Sequence, residues 1–165
     1  MTTIVVQDDH IIRALSVILD PDCPEDRVDA FEDYYSVDMP EFRKWRDGLR
    51  KKYTDVFPAT VILTHSQEEL DNSLKEADGV VVEDYVFGQK QLDSGPKIKI
   101  CHNFRTDMRN IDEAACEARG VIVKPFFRRV NVAVGEHAFA LMMTLGKKLV
   151  ETNKLLTIEE LQAEG

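Results

Sequence analysis

The chain has 165 residues and carries 21 Lys and Arg against 30 Asp and Glu, a formal net charge of −9. That balance excludes nucleic acid and anionic membranes as main partners, because phosphate binding needs clustered cations and counterion release. No run of about 18 apolar residues and no basic-then-hydrophobic amino terminus is present, so neither a transmembrane helix nor a signal peptide is expected and the reading is cytoplasmic. The length fits one domain with a proper core plus an extension.

In chain order, residues 3–7 form the first strand, and 14–19 is an apolar run that suits either strand or helix. Pro24 stands at the start of a helix reaching Tyr35, which would bury Val28, Phe31 and Tyr35. A second helix spans 40–53, with Phe42, Trp45 and Leu49 on one face and Arg43, Arg46, Arg50, Lys51 and Lys52 elsewhere as a solvated or acid-meeting surface. From Thr60 strand and helix alternate: strand 61–64, helix 66–77, strand 79–82. Ser66 followed by Glu69 is a capping-box signature for the helix start. Leu92 precedes a turn at Ser94-Gly95-Pro96, then come strand 97–101, helix 112–118 and strand 121–123. Short apolar strands alternating with helices predict a parallel sheet covered on both faces, an α/β, flavodoxin-like, three-layer domain over residues 1–128. Residues 129–165 hold a long helix over 132–152, with Val134, Ala138, Leu141, Met142, Leu145 and Leu149 on one amphipathic stripe. Thr157 and Glu160 mark a short final helix.

The three cysteines, Cys23, Cys101 and Cys116, are odd in number and lack C-x-x-C spacing, which disfavours a disulfide framework or a structural zinc. Cys101, at the end of a strand, and Cys116, on a helix, read as small core residues; a nucleophilic Cys101 would have only His102 as a local partner.

In open parallel sheets ligands bind beyond the carboxyl ends of the strands. Three such segments stand out: Glu83-Asp84-Tyr85, then residues 102–107 (HNFRTD), then 124–129 (KPFFRR). The middle one leads to Asn110-Ile111-Asp112 at a helix start, and Arg119-Gly120 ends that helix. A longer helix follows, opened by Asn131 and marked by Val134-Gly135-Glu136-His137-Ala138. This order resembles the NAD-dependent D-2-hydroxyacid dehydrogenases, in which N-I-D-x-x-A-A-x-x-x-x-G-V/I leads to N-x-x-V-A-E-H-x-x-A-L on the helix joining two domains. The likeness covers roughly residues 60–150.

The resemblance implies a substrate-binding domain followed by an interdomain helix that contributes to a dimer interface through Val134, Ala138, Leu141, Met142, Leu145 and Leu149. In the family a G-x-G-x-x-G turn comes next and cradles the dinucleotide pyrophosphate. No two glycines here have that spacing, and the family's catalytic arginine, glutamate and histidine also come from the later portion. The expectation is therefore that this chain holds no catalytic, cofactor-binding or metal residue and is inactive alone. A separate NAD- or NADP-binding subunit would complete it, as a homodimer or heterotetramer acting on a small 2-hydroxy or 2-keto carboxylate. The substrate contacts implied are Asp84, Tyr85, Asn103, Phe104, Arg105 and Thr106. Relatives have a glycine-rich stretch where this chain has Phe104, Arg105 and Asp107, so Arg105 would replace backbone cradling with a charge-assisted contact.

Other readings stand beside these. Arg105 could be a surface arginine paired with Asp107 or Asp84, and Arg128 and Arg129 could be plain surface charges. His137 lies on the apolar side of its helix and reads as a packed histidine, and Glu136 as a helix-packing contact. A non-catalytic carboxylate-binding or assembly module is a second function class. Asp8-Asp9 and Lys124-Pro125-Phe126 also resemble phosphoacceptor receiver domains, with Asp84 as acceptor and Mg²⁺ on the acidic pair. The long interval between the acidic pair and Asp84 speaks against that reading.

Overall fold

The apolar runs Val5-Val6 and Val80-Val82 are too short for helices and lack polar alternation, as strands buried on both faces do; all five residues are buried, most of them completely. A computed structural model describes residues 1–127, 130–153 and 162. The order is β1 (Thr2–Gln7), α1 (Ala14–Leu19), α2 (Glu25–Tyr34), α3 (Phe42–Lys52), β2 (Ala59–Thr64), α4 (Gln67–Ser73), β3 (Gly79–Val82), α5 (Gln89–Ser94), β4 (Ile100–Asn103), α6 (Glu113–Ala118), β5 (Ile122–Pro125), α7 (Val130–Gly146) and α8 (Leu149–Asn153). All strands are parallel, in the order β2-β1-β3-β4-β5. This is the flavodoxin-like order, with its switch point between β1 and β3. The chain divides into two compact units, Met1–Phe126 and Phe127–Gly165.

One face of the sheet is closed by α4, α5 and α6, whose Leu70, Leu92 and Cys116 pack with Val5, Val80, Val82 and Cys101. On the other face, Ile12 and Leu15 cover Val6 and Val81, and α1 joins α2 and α3 in a satellite core of Val17, Val28, Phe31 and Phe42. The run 14–19 is thus a helix, and Arg50 fastens it by donating to the carbonyls of Val17, Ile18 and Asp20. This second layer stops short of the far strands. Ile100 and Ile122 are paired in register and point to this face, yet they are 40% and 55% exposed. The expectation of a sheet covered on both faces therefore holds only over its first strands.

Several elements differ from the sequence reading: the helix expected over 66–77 is Gln67–Ser73 and the strand expected over 121–123 is Ile122–Pro125, and β4, α5 and the long helix differ for physical reasons. The fourth strand is Ile100–Asn103 rather than 97–101, because Ile98 closes a turn onto the Gly95 carbonyl (3.2 Å) and buries its side chain. Gly95 allows that approach: a Cβ there would meet Ile98 Cδ1 at 2.3 Å. Helix α5 has a single apolar anchor, Leu92, too few for a periodicity to show. The long helix expected over 132–152 is two helices, broken where Lys148 adopts φ +50°. Leu149 therefore lies beyond the break, and the six-residue stripe is not continuous. Apolar residues also surround α7: Val132, Phe139 and Met143 are exposed on its other sides, so the narrow amphipathic pattern gives way to a helix that is apolar all round. The expected final helix at Thr157 and the residues Arg128 and Arg129 lie outside the described residues.

Candidate functional site

Gln7 ends β1 in the middle of the sheet, where its side chain is almost wholly buried. Its carboxamide oxygen accepts three successive backbone N–H groups, from Glu83 (2.7 Å), Asp84 (2.8 Å) and Tyr85 (3.2 Å). The chain leaving β3 would otherwise present three unsatisfied donors at a buried edge, a costly arrangement. Gln7 thereby fixes the backbone that carries Glu83, Asp84 and Tyr85.

The next loop is organised by two asparagines. Asn103, the last residue of β4 and fully buried, donates to the Asp107 carbonyl (2.7 Å) and to Asn110 Oδ1 (3.1 Å). Asn110 donates in turn to the carbonyls of Tyr85 (2.9 Å) and Glu83 (3.3 Å). Phe87 and Ile111 form a parallel bridge, closed by Phe87 N–H to Asn110 O and Asp112 N–H to Phe87 O, both 2.9 Å. Asp112 caps α6 by accepting from Ala115 N–H at 3.0 Å. The Asn110-Ile111-Asp112 motif therefore stitches the β3 and β4 exit loops together and starts a helix. Asn103 has a structural role; its Oδ1 is buried with no hydrogen-bond partner.

These loops surround a cavity of about 290 Å³ lined by Asp84, Arg105, Asp107, Arg109 and Asn110. Arg105 is held by its neighbours: Nη2 lies 2.6 Å from Asp84 Oδ1 and Nε lies 3.4 Å from Glu83 Oε1. Asp107 belongs to Arg109, whose Nε donates at 2.7 Å. The hydrogen bonds from Arg109 hold the Asp107 carboxyl down at about 2. Of the substrate contacts implied by resemblance, Asp84 and Arg105 share this cavity. Tyr85 packs partly against the main core, and burial, with Glu69, Asp8 and Asp84 nearby, pushes its phenol upward. Phe104 stacks on Phe126 at 4.8 Å, on the half-covered sheet face, and Thr106 lies between Arg105 and Asp107 in the loop.

A second constellation, of which the sequence singled out the Asp8-Asp9 pair but neither Arg13 nor His65, sits at the carboxyl edges of β1 and β2. Asp8 has a buried carboxylate that takes a bidentate contact from Arg13 (3.0 and 3.1 Å). The same carboxylate lies 3.2 Å from Nδ1 of His65, an exposed imidazole. Asp9 accepts from the N–H groups of Ile11 (2.8 Å) and Ile12 (3.4 Å); burial raises its carboxyl, but these bonds outweigh it and the net direction is down. The acidic pair is thus engaged in an ion pair and a turn. No group of three or more His, Cys, Asp or Glu able to hold a metal occurs among the described residues.

His102 is half-buried beside Phe104 and Phe126, and burial lowers its pKa. Burial raises the thiols of Cys101 and Cys116, which pack as core residues. His137 is exposed, as is its neighbour Glu136, and no residue of α7 is buried; the packed histidine expected there is not observed. No described helix is long and apolar enough to cross a membrane.

No protein-family profile matches the chain. Over 144 residues, 86% of its length, the chain is 23% identical to glyoxylate reductase of Pyrococcus furiosus, of which it covers 37%. Its fold matches a protein of Pyrococcus horikoshii (TM-score 0.57, 19% identity, 97% of this chain and 38% of that one). It also matches the NAD-dependent formate dehydrogenase of Staphylococcus aureus, solved with NAD (0.53, 14%, 96% and 42%). A third likeness is to the NAD⁺-bound 3-phosphoglycerate dehydrogenase of Entamoeba histolytica (0.52, 19%, 87% and 38%). The chain spans about two fifths of the length of these relatives. With only distant sequence likeness to the glyoxylate reductase, the chain shares with these solved structures the fold of a flavodoxin-like domain built on a parallel five-stranded sheet.

Proposed function

We propose that this chain is the substrate-binding portion of a D-2-hydroxyacid dehydrogenase, completed by a separate NAD(P)-binding subunit for interconversion of a 2-hydroxy and a 2-keto acid. The observation that carries the reading is the cavity in which two strand-exit loops, tied by Asn103 and Asn110, present the guanidinium of Arg105 at the carboxyl edge of a family-type sheet. The chain's own residues do not fit a dinucleotide. The turns leaving its strands begin Asp8-Asp9, His65-Ser66, Glu83-Asp84, Phe104-Arg105 and Phe126-Phe127, with no closely spaced glycines to let a pyrophosphate approach. The cofactor belongs on the partner, which would supply hydride chemistry when loaded; this chain would bind the carboxylate, orient it and exclude water. The exposed apolar surface of α7 suits burial against that partner or a second copy.

The test is native mass spectrometry of the chain isolated from its source, followed by a 2-keto acid reduction assay. A complex with a second, NAD-binding chain and turnover dependent on both supports the proposal; a homodimer with neither removes it. A second reading, a carboxylate-binding or assembly module without turnover, is favoured by one observation: Arg105 is already paired with two carboxylates of its own chain.

A further inference from the structure

Arg105 presents two edges, and the structure treats them differently. Its Nε faces Glu83, whose side chain is only 10% exposed, across 3.4 Å. Its Nη2 faces Asp84, 55% exposed, at 2.6 Å. The backbone of Asp84 is pinned by Gln7, while its side chain is more than half exposed and, among the described residues, is held only at the Arg105 contact. A ligand carboxylate approaching the cavity meets the same guanidinium edge that Asp84 occupies. Asp107, the other carboxylate in the cavity wall, is held by hydrogen bonds from Arg109, and the attraction of Arg105 for it is the weaker influence.

We propose that Asp84 is an internal competitor that sets affinity and specificity at this site: its carboxylate occupies the Arg105 edge and is exchanged one-for-one for the carboxylate of a small monocarboxylate ligand. The inference rests on the reading of Arg105 as the anion contact given above. Exchange keeps one carboxylate on this edge of Arg105, so the ligand must outcompete a tethered group. The tethered group is present at high effective concentration, so the resting affinity is low. Once displaced, Asp84 remains beside the cavity with Glu83, and a second anionic group on the ligand meets like charge there. The site therefore selects a single carboxylate on a small neutral body over dicarboxylates and phosphorylated acids. Asp84 moves from the substrate contacts implied by resemblance to the opposite role.

The experiment is titration of the full chain with pyruvate and, separately, with 3-phosphoglycerate, read by amide chemical shifts in the loops around Arg105. The parent should bind pyruvate weakly. Asp84→Asn, which removes an exposed surface charge, should bind pyruvate roughly two- to fivefold more tightly, the span expected for releasing a partly exposed ion pair. Asp84→Asn should also narrow the preference for pyruvate over 3-phosphoglycerate, and Arg105→Ala should abolish binding in either background. If Asp84→Asn binds no tighter than the parent, or if Asp107→Asn gains as much, the competitor role is overturned while the carboxylate site stands. If neither parent nor Asp84→Asn binds pyruvate, the carboxylate reading of Arg105 falls, and the competitor with it.

Discussion

The carboxamide oxygen of Gln7 accepts the backbone N–H of Glu83 at 2.7 Å, a buried contact between residues 76 positions apart. It joins the ends of the two strands that flank the topological switch point of the sheet. Because Asp84 and Tyr85 donate to the same oxygen, one side chain of the first strand sets the loop on which the Arg105 partners stand.

Replacing Gln7 by Leu keeps the apolar volume and removes the acceptor, leaving three donors at a buried edge. An unsatisfied buried donor costs about 1–3 kcal/mol, and water would recover part of it, so a loss of about 3 kcal/mol in unfolding free energy is expected. Urea denaturation measures it. Unchanged stability would show that the loop finds its donors another partner.

Asn110 should be irreplaceable in a different way. Its amide donates to two carbonyls of the β3 exit and its oxygen accepts from Asn103. Asn110→Asp keeps the acceptor and loses both donors, placing a carboxylate against two carbonyl oxygens; Asn110→Ala loses all three bonds. Both should cost about 2 kcal/mol or more, and amide exchange should accelerate at Phe87 and Asp112, whose bridge the asparagine supports. Protection retained at those two amides in either variant would refute the stitching role.

How far the sequence disclosed this arrangement depends on the range of the contact. Val80, Val81 and Val82 announce a buried strand by themselves, and Ser66 announces a helix start that the structure confirms through a 3.1 Å bond from Glu69 N–H. The reciprocal bond of that cap is displaced by one residue, however: Glu69 accepts from His65 N–H. Asn110-Ile111-Asp112 was legible as a motif, but its function as a stitch depends on carbonyls of Glu83 and Tyr85 that no local pattern reveals. Gln7 and His65 were invisible as site residues because their partners lie across a strand crossover, where spacing along the chain carries no periodicity, and Asp8 stood out as half of an acidic pair without showing its pairing with Arg13 and His65. Arg105 showed its charge in the sequence and hid its pairing, since Asp84 and Asp107 were both plausible partners until the loops were folded, and the Glu83 contact had no local signal.

Asp71 ties α4 to α5 by accepting from Lys90 (2.7 Å), Gln91 (2.8 Å) and Gln67 (2.9 Å). Burial raises its carboxyl, but these donors outweigh burial and the folded value falls below the ordinary 3.8. A depressed folded value means the contribution to stability is fully present above pH 3.8 and disappears as pH falls through the folded value. Asp71→Ala should therefore lower stability by about 1–2 kcal/mol at neutral pH. The gap between parent and variant should close as unfolding is repeated at progressively more acid pH below 4; a gap independent of pH would assign the effect to packing.

The carboxyl of Asp107 should remain ionised to about pH 2, because Arg109 donates to it from both side chain and backbone. Carbon-detected NMR titration of the carboxyl resonances would follow it directly. Arg109→Ala should return the midpoint toward 3.8. Both groups are exposed, so the change should leave the melting temperature almost untouched; a midpoint near 3.8 in the parent would mean that the pair is not formed in solution.

The apolar surface of α7 leads to the last prediction. Leu145 is 78% exposed, Met142 69% and Phe139 63%, and no residue of the helix is buried. Helices with apolar side chains on every side are stable in water only when other surfaces enclose them, and contiguous apolar patches of this kind mark association sites. Since α7 breaks at Lys148, the helix that must be enclosed is the 17-residue segment Val130–Gly146. The isolated chain should therefore self-associate, and Leu141→Arg with Met142→Glu should abolish that association while leaving the sheet domain folded, because neither residue contributes to its core clusters. Sedimentation velocity over a range of concentrations, with circular dichroism as the control for folding, provides the check. A parent that stays monomeric throughout would mean that α7 is enclosed within its own chain, and a double variant that still associates would place the contact on another surface.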